Sequence, residues 1–259
     1  MTPAAPCVLI CAGLDPSGGA GLIADIRIAA ELGTRPVGVV TATTVQNTTS
    51  VVACTPLGAD SLREQLEFLL SDVSVMAVKI GMLGSSETAI AIGHALALTR
   101  APVVWDPIAW SSRGEVALVD DLLGASLAAL VPHVTLVTPN ARELALLVGR
   151  PIEDDASALA AGAELAATLD VAVLVKGGHL GGAESIDVLC GRDGTVAMRG
   201  ARVERGEDVH GTGCALSTAI ASHLALGVSL VEACRAAKAF VAARLAQPVR
   251  PGRGAAAVV

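Results

Sequence analysis

The stretch CVLICAGLDPSGGAG, residues 7–21, opens with six apolar residues, Cys7–Ala12, and breaks into a glycine-rich loop; the helix-like run Ala20–Leu32 and a second apolar run, Pro36–Thr43, follow. A short apolar run bounded by turn residues reads as a buried strand, and strand, crossover helix, strand is the unit that builds a parallel sheet. Working outward, the same alternation continues. Further strand candidates are Ala77–Ile80, Val103–Asp106, Leu136–Thr138 and Val171–Lys176, with Ile186–Cys190 and Thr195–Arg202 forming a hairpin about Arg192-Asp193-Gly194. Helical runs lie at Ser61–Ser71, Ser86–Leu98, Asp120–Leu130, Ala141–Leu147 and Ala156–Leu169, and two more, Gly213–Leu226 and Leu230–Leu245, follow the hairpin. This pattern predicts an α/β fold with a mostly parallel central sheet covered by helices, in one domain over residues 1–259, since no linker-like segment interrupts it.

Composition narrows the class. Hydrophobic residues make up 53% of the 259, yet aromatics only 2%, so the core is built from many small aliphatic contacts. No run reaches the roughly 18 consecutive apolar residues of a spanning helix, and the first residues lack the basic flank of a signal peptide, which predicts a cytoplasmic protein with no membrane partner. A net charge of -7 without any Lys/Arg block argues against nucleic acid. The six cysteines are scattered with no CxxC pair and read as reduced, mostly buried thiols. The Pro/Gly/Ala-rich segment around Arg244, Arg250 and Arg253 is expected to fray.

In open α/β sheets ligands collect at the carboxyl ends of the strands, so the loops that follow strands carry the chemistry. His210-Gly211-Thr212-Gly213-Cys214 runs directly into a helical stretch. Small residues there let backbone N–H groups converge on an anion, and the helix dipole adds positive charge. A thiol at that helix start is expected to have a lowered pKa; a glycine turn capping a core helix, with a small buried thiol, would read the same way. The Gly18–Gly21 loop lacks the GxGxxG spacing of a dinucleotide site. Asp25, one turn into the next helix, is expected to face the same mouth and accept from a substrate. Asn140 and Glu143 open a helix in a capping-box pattern, and the same hard oxygens suit magnesium with retained water. Lys176 closes a buried strand and is expected to face an anion or a carboxylate, the alternative being a stem that bends out to water. Asp106-Pro107 reads as a strand-ending turn, with a place near a metal as the other reading. His179 and His210 read as hydrogen-bonding supports for their loops.

Taken together, these loops resemble the hydroxymethylpyrimidine and phosphomethylpyrimidine kinases of thiamine synthesis, a branch of the ribokinase-like superfamily. The resemblance runs in order through Ala12-Gly13, Gly18–Asp25, Thr41–Thr48, Lys79–Gly84, Asp106-Pro107, Thr138–Glu143, Lys176–His179, His210–Cys214 and Ala236–Val241. It implies a three-layer α/β/α fold and phosphoryl transfer from ATP, with magnesium, to the hydroxymethyl group of a small pyrimidine and then to its monophosphate, in a homodimer. By this resemblance Gly211, Gly213 and Cys214 would supply the oxyanion hole and the base, and Lys176, Asn140 and Thr212 would contact the nucleotide. Asn140 and Glu143 would hold magnesium through water, with Asp106 beside it. Gly13, Asp25, Gln46, Met82 and Ile108 would line the pyrimidine pocket. The Gln46 amide offers both a donor and an acceptor to an aminopyrimidine edge. With no tyrosine and two phenylalanines in the chain, aliphatic side chains such as Met82 and Ile108 would largely replace aromatic stacking on the ring. A pyridoxal or pyridoxine kinase of the same branch is the alternative enzyme, and a non-catalytic ligand-binding relative the alternative class.

Overall fold

In the computed structural model, which describes residues 4–108, 120–177, 184–203 and 209–259, successive residues of strand β1 (Cys7–Leu14) enter two different cores. Val8, Ile10 and Ala12 join one apolar cluster, and Leu9 and Cys11 join another. A strand buried on both faces needs strands on both edges and helices on both sides. Its neighbours are β2 (Arg35–Gln46) and β4 (Val75–Ile80), both parallel to it. The sheet continues through β5 (Val103–Trp105), β6 (Leu136–Val137) and β7 (Ala172–Val175), again parallel. Antiparallel strands finish both edges: β3 (Val51–Pro56) beside β2, and the hairpin β8 (Glu184–Gly191) and β9 (Gly194–Ala201) beside β7. The order is β3-β2-β1-β4-β5-β6-β7-β8-β9.

Helices α1 (Gly21–Glu31), α7 (Thr212–Ala225) and α8 (Leu230–Ala246) cover one face, where Ile28, Ala219, Ile220 and Cys234 meet Val8, Ile10 and Leu174. On the other face α2 (Ala59–Asp72), α3 (Ser86–Leu96) and α4 (Asp120–Leu130) bring Leu62, Leu66, Ile92 and Leu130 against Leu9, Val78 and Trp105. Trp105 is fully enclosed at the end of β5, and its Nε1 has no hydrogen-bond partner among the described residues. Helices α5 (Ala141–Val148) and α6 (Asp155–Leu169) pack Leu144, Ala161 and Leu165 on Val173 and Val175 of β7. The expected α/β/α layering with a mostly parallel sheet is the fold.

Two features depart from the sequence reading. Strand β3 was not anticipated; Asn47 turns the chain into it, its Oδ1 accepting from the N–H groups of Thr49 (2.7 Å) and Ser50 (3.0 Å). The segment after α8 does not fray. Gly254 N–H donates to Thr48 Oγ1 (3.1 Å), Ala255 N–H to Thr48 O (2.9 Å) and His210 N–H to Ala256 O (2.8 Å), and Ala256–Val258 are buried. The small residues that suggested fraying are what admit this close docking: a Cβ on Gly254 would meet Thr48 O at 1.7 Å. All six cysteines are free, and among the described residues no helix is long and apolar enough to cross a membrane.

Candidate active site

Strand order reverses at β1, with β2 on one side and β4 on the other, and such a reversal opens a crevice above the carboxyl ends of the strands. The chain leaves β1 through Gly13, where a Cβ would lie 2.3 Å from Met82 Cε in the loop after β4. Asp15 organises the turn that follows: Oδ1 accepts from Ser17 N–H (2.8 Å) and Oγ (2.7 Å), and Oδ2 from Ala20 N–H (3.1 Å). Burial works against the Asp15 carboxylate, but hydrogen bonds from His210 and Ser17 outweigh it and hold its pKa below the usual range. Gly211 adopts φ +85°, and a Cβ on it would stand 2.0 Å from Gly19 O. The two glycine loops therefore touch backbone to backbone, which brings the starts of α1 and α7 to one place.

At the mouth of α7 the bare backbone of Gly213 sits among charges. A Cβ there would be 3.3 Å from Lys176 Nζ and 3.5 Å from Asp106 Oδ2. Lys176 Nζ donates to Asp106 Oδ1 (2.8 Å) and lies 3.4 Å from Glu143 Oε2. Asp106 is 1% exposed and also accepts from Thr138 Oγ1 (3.2 Å). Burial opposes the Lys176 ammonium, but Asp106 and Glu143 outweigh it and hold its pKa above the ordinary lysine value. The Glu143 carboxyl is shifted upward, by burial first and by Asp106, with Lys176 pulling the other way. Asn140 and Glu143 form a reciprocal cap, Glu143 N–H to Asn140 Oδ1 (2.9 Å) and Asn140 N–H to Glu143 Oε2 (2.8 Å). Capping and proximity to the charged cluster thus coexist. One cation shared by two buried carboxylates leaves hard-oxygen negative charge at the mouth, a donor set suited to magnesium. Among the described residues no group of three or more His, Cys, Asp or Glu is arranged around a metal; a magnesium ion is commonly held by one or two carboxylates, waters and substrate phosphates.

Beneath this mouth the structure corrects two expectations. Asp25 does not face the open crevice: it is fully buried, accepting from Lys79 Nζ (2.5 Å) and Thr218 Oγ1 (2.7 Å). Its position one turn into α1 is as expected, but Lys79 arrives from β4 to engage it. Burial disfavours the Lys79 ammonium, and Asp25, with Cys214 and Asp106, reverses that and holds its pKa up. The Cys214 thiol is raised rather than lowered, to about 11. Burial is the main cause, Asp25 and Asp106 add to it, and Lys79 acts against it. Packing α7 against α1 removes the thiol from water, and desolvation of a thiolate exceeds what a helix terminus returns.

On the β1–β2 side, Gln46 Nε2 lies 3.2 Å from His210 Nε2, which is 3.1 Å from Asp15 Oδ2. His210 is the loop support its sequence position suggests. Met82 is half-buried against Gly13. Ile108 is half-buried two residues past Asp106, its N–H donating to Asp106 O (2.8 Å). His179 lies outside the described residues. On the opposite side a cavity of about 570 Å³ begins at Asn140, Lys176, Thr212 and Gly213 and runs between β9 and α8 as far as Met198 and Leu245. Its wall contains a pair that sequence reasoning missed, Lys238 Nζ to Asp187 Oδ2 at 2.9 Å, with Gly177 N–H donating to Asp187 Oδ1 (2.9 Å). Neither residue carries a local signal; the only hint is the run of small residues on α8, which leaves room for a ligand. The mouth of α7 therefore stands between an elongated cavity and the Gly13–Met82–Gln46 corner, a layout suited to passing a group from one bound molecule to another.

The family model described as phosphomethylpyrimidine kinase matches residues 15–259. A hydroxymethylpyrimidine/phosphomethylpyrimidine kinase of Rhizobium meliloti (strain 1021) is 41% identical over 251 residues, covering 95% of this chain and 94% of that protein. Among solved structures, the phosphomethylpyrimidine kinase of Clostridium difficile 630 superposes with TM-score 0.79 at 33% identity, over 92% of this chain and 98% of that one. The pyridoxal kinase of Staphylococcus aureus in complex with AMP-PCP and pyridoxal superposes with TM-score 0.89 at 29% identity, over 99% and 93%.

Proposed function

The chain belongs to the phosphomethylpyrimidine kinase family, and from that premise we propose that it transfers the terminal phosphoryl group of ATP, with magnesium, to the hydroxymethyl group of 4-amino-5-hydroxymethyl-2-methylpyrimidine and then to the monophosphate, in thiamine biosynthesis. The observation that carries this reading is Gly213, whose unsubstituted backbone adjoins Lys176 and Asp106 at a helix start between cavity and crevice. Phosphoryl transfer asks for positioning and for stabilisation of charge on the migrating group, and little else from the protein. The amides of Gly211, Thr212, Gly213 and Cys214 face that charge, and Lys176 neutralises part of it. The nucleotide occupies the cavity, its phosphates toward Asn140, Lys176 and Thr212. Glu143, through water, and Asp106 hold magnesium, which supplies charge neutralisation on the phosphate oxygens when bound.

Cys214 takes the proton of the acceptor alcohol. Only the thiolate can accept that proton; burial holds the thiol at about 11 and the Lys79 charge favours the thiolate, so on this reading proton transfer to Cys214 speeds up as pH rises toward that value. Gly13, Gln46, Met82 and Ile108 contact the ring; Asp25 serves from below, by fixing Lys79. We place the protein in the cytoplasm, in keeping with its six free thiols, as one kinase domain working as a homodimer. The exposed Val45 and Val52 on the β2–β3 hairpin offer apolar surface for such pairing.

Pyridoxal phosphorylation is the second reading, favoured by the closer overlay on the pyridoxal kinase. Steady-state assays with hydroxymethylpyrimidine, its monophosphate and pyridoxal separate the two. The first reading expects kcat/KM for hydroxymethylpyrimidine to exceed that for pyridoxal; a reversed order would overturn it.

A further inference from the structure

Thr44, Gln46, His210 and Asp15 form a chain of polar contacts from the end of β2 to the two glycine loops, and counting its protons leaves one arrangement. Thr44 Oγ1 donates its single proton to Leu14 O, 2.8 Å away. Toward the Gln46 amide, 3.4 Å away, it has only lone pairs to offer. At the other end His210 Nε2 lies between Asp15 Oδ2 and the Gln46 amide. Asp15 is buried, its oxygens already accept backbone N–H groups from Ser17 and Ala20, and it is ionised, so it cannot donate. His210 Nε2 therefore carries a proton, which it shares as a three-centre bond between Asp15 Oδ2 at 3.1 Å and the Gln46 amide at 3.2 Å. Nδ1 of the same ring is buried without a partner among the described residues, a place that tolerates a lone pair better than an N–H. The ring has little room to turn, its side chain being 9% exposed, and the C-terminal segment holds the backbone beneath it through His210 N–H to Ala256 O (2.8 Å) and Val258 N–H to His210 O (3.3 Å).

The oxygen and nitrogen of an amide exchange by a half-turn about the last side-chain bond, so the network decides between them. With a donor at His210 and an acceptor at Thr44, Oε1 belongs on the histidine side and Nε2 on the threonine side. We propose that His210 and Thr44 are positioning residues that lock the Gln46 amide in this sense and so set ring specificity. One acceptor lone pair and one N–H remain for the ligand. They fit a ring edge on which a donor and an acceptor stand side by side, as an amino group does next to a ring nitrogen; an edge without the donor leaves Oε1 unpaired. This inference rests on Gln46 being a ring contact, as in the proposed function.

The test has a spectroscopic arm and a kinetic arm. With 15N-histidine labelling of the wild-type protein, the His210 ring should show a protonated-type Nε2 and an unprotonated-type Nδ1, and the opposite tautomer would overturn the proposal. Kinetically, His210→Phe and Thr44→Val should each raise KM for hydroxymethylpyrimidine about tenfold, the worth of one oriented hydrogen bond, while kcat and KM for ATP stay close to wild type. His210→Gln, which can present an N–H at the same end, should recover most of the loss. A fall in kcat and stability in step with KM, unrescued by glutamine, would mark a merely structural histidine and refute the assignment. Wild-type protein showing the expected tautomer but failing to phosphorylate the pyrimidine would count against the proposed substrate while leaving the relay standing.

Discussion

Replacing Lys176 by Met removes a cation that Asp106 and Glu143 share. The contacts are 2.8 and 3.4 Å, with side-chain exposures of 13% for the lysine and 1% and 7% for the carboxylates. At an effective dielectric of about 20 these separations correspond to attractions of ~6 and ~5 kcal/mol, most of which offsets the cost of taking three charges out of water. Deleting one member of such a cluster leaves the others uncompensated, and the expected loss of stability is about 3–5 kcal/mol near neutral pH. The pH dependence has a definite sign. The folded Glu143 carboxyl is shifted upward by burial and Asp106, against Lys176. A carboxyl with a raised folded pKa stabilises most fully when protonated, below its unfolded value, and that contribution is lost as pH rises through the folded value. Without Lys176 the shift grows, so the deficit of the variant should be greatest at about pH 8 and shrink toward about pH 5. Urea unfolding followed by circular dichroism measures it. Adding Glu143→Gln to Lys176→Met should return about 2 kcal/mol. A deficit under about 1 kcal/mol at the higher pH, or one that widens on acidification, would refute the reasoning.

Gly213→Ala places a methyl 3.3 Å from Lys176 Nζ and 3.5 Å from Asp106 Oδ2, so turnover should fall about 10²-fold or more while the unfolding midpoint stays near wild type; a fully active, folded variant would show that no anion approaches this backbone. Cys214→Ala should lower kcat by roughly 10²-fold if the thiol is the base. Because burial lifts that thiol to about 11, its alkylation by iodoacetamide, read by peptide mass spectrometry, should still be accelerating at about pH 9–10, and a plateau near the ordinary thiol value of about 8.5 would contradict the burial argument.

The parallel core of the sheet was legible because strands covered on both faces read as unbroken apolar runs, as in Val8–Ala12 and Val173–Val175. Strand β3 was not, since an edge strand with one open side mixes exposed and half-buried residues. The glycine loops and the Asn140–Glu143 cap are local features, and local chemistry predicts them well. What failed depended on partners far along the chain. Lys79, 54 residues away, closes over Asp25; α1 shields Cys214; and Thr48 and His210 capture the segment after α8. The Asp187–Lys238 pair belongs to the same group, for it joins β8 to α8 with no sequence pattern to announce it.

Trp105 stands one peptide bond before Asp106, sealed from water with its indole N–H unmatched among the described residues. The chain has only one other tryptophan, Trp110, and no tyrosine to mask either. Ultraviolet light absorbed by this protein is therefore re-emitted from two indoles close in sequence to Asp106, one of them enclosed. The molecule carries its own optical probes, close in sequence to that carboxylate and needing no added dye.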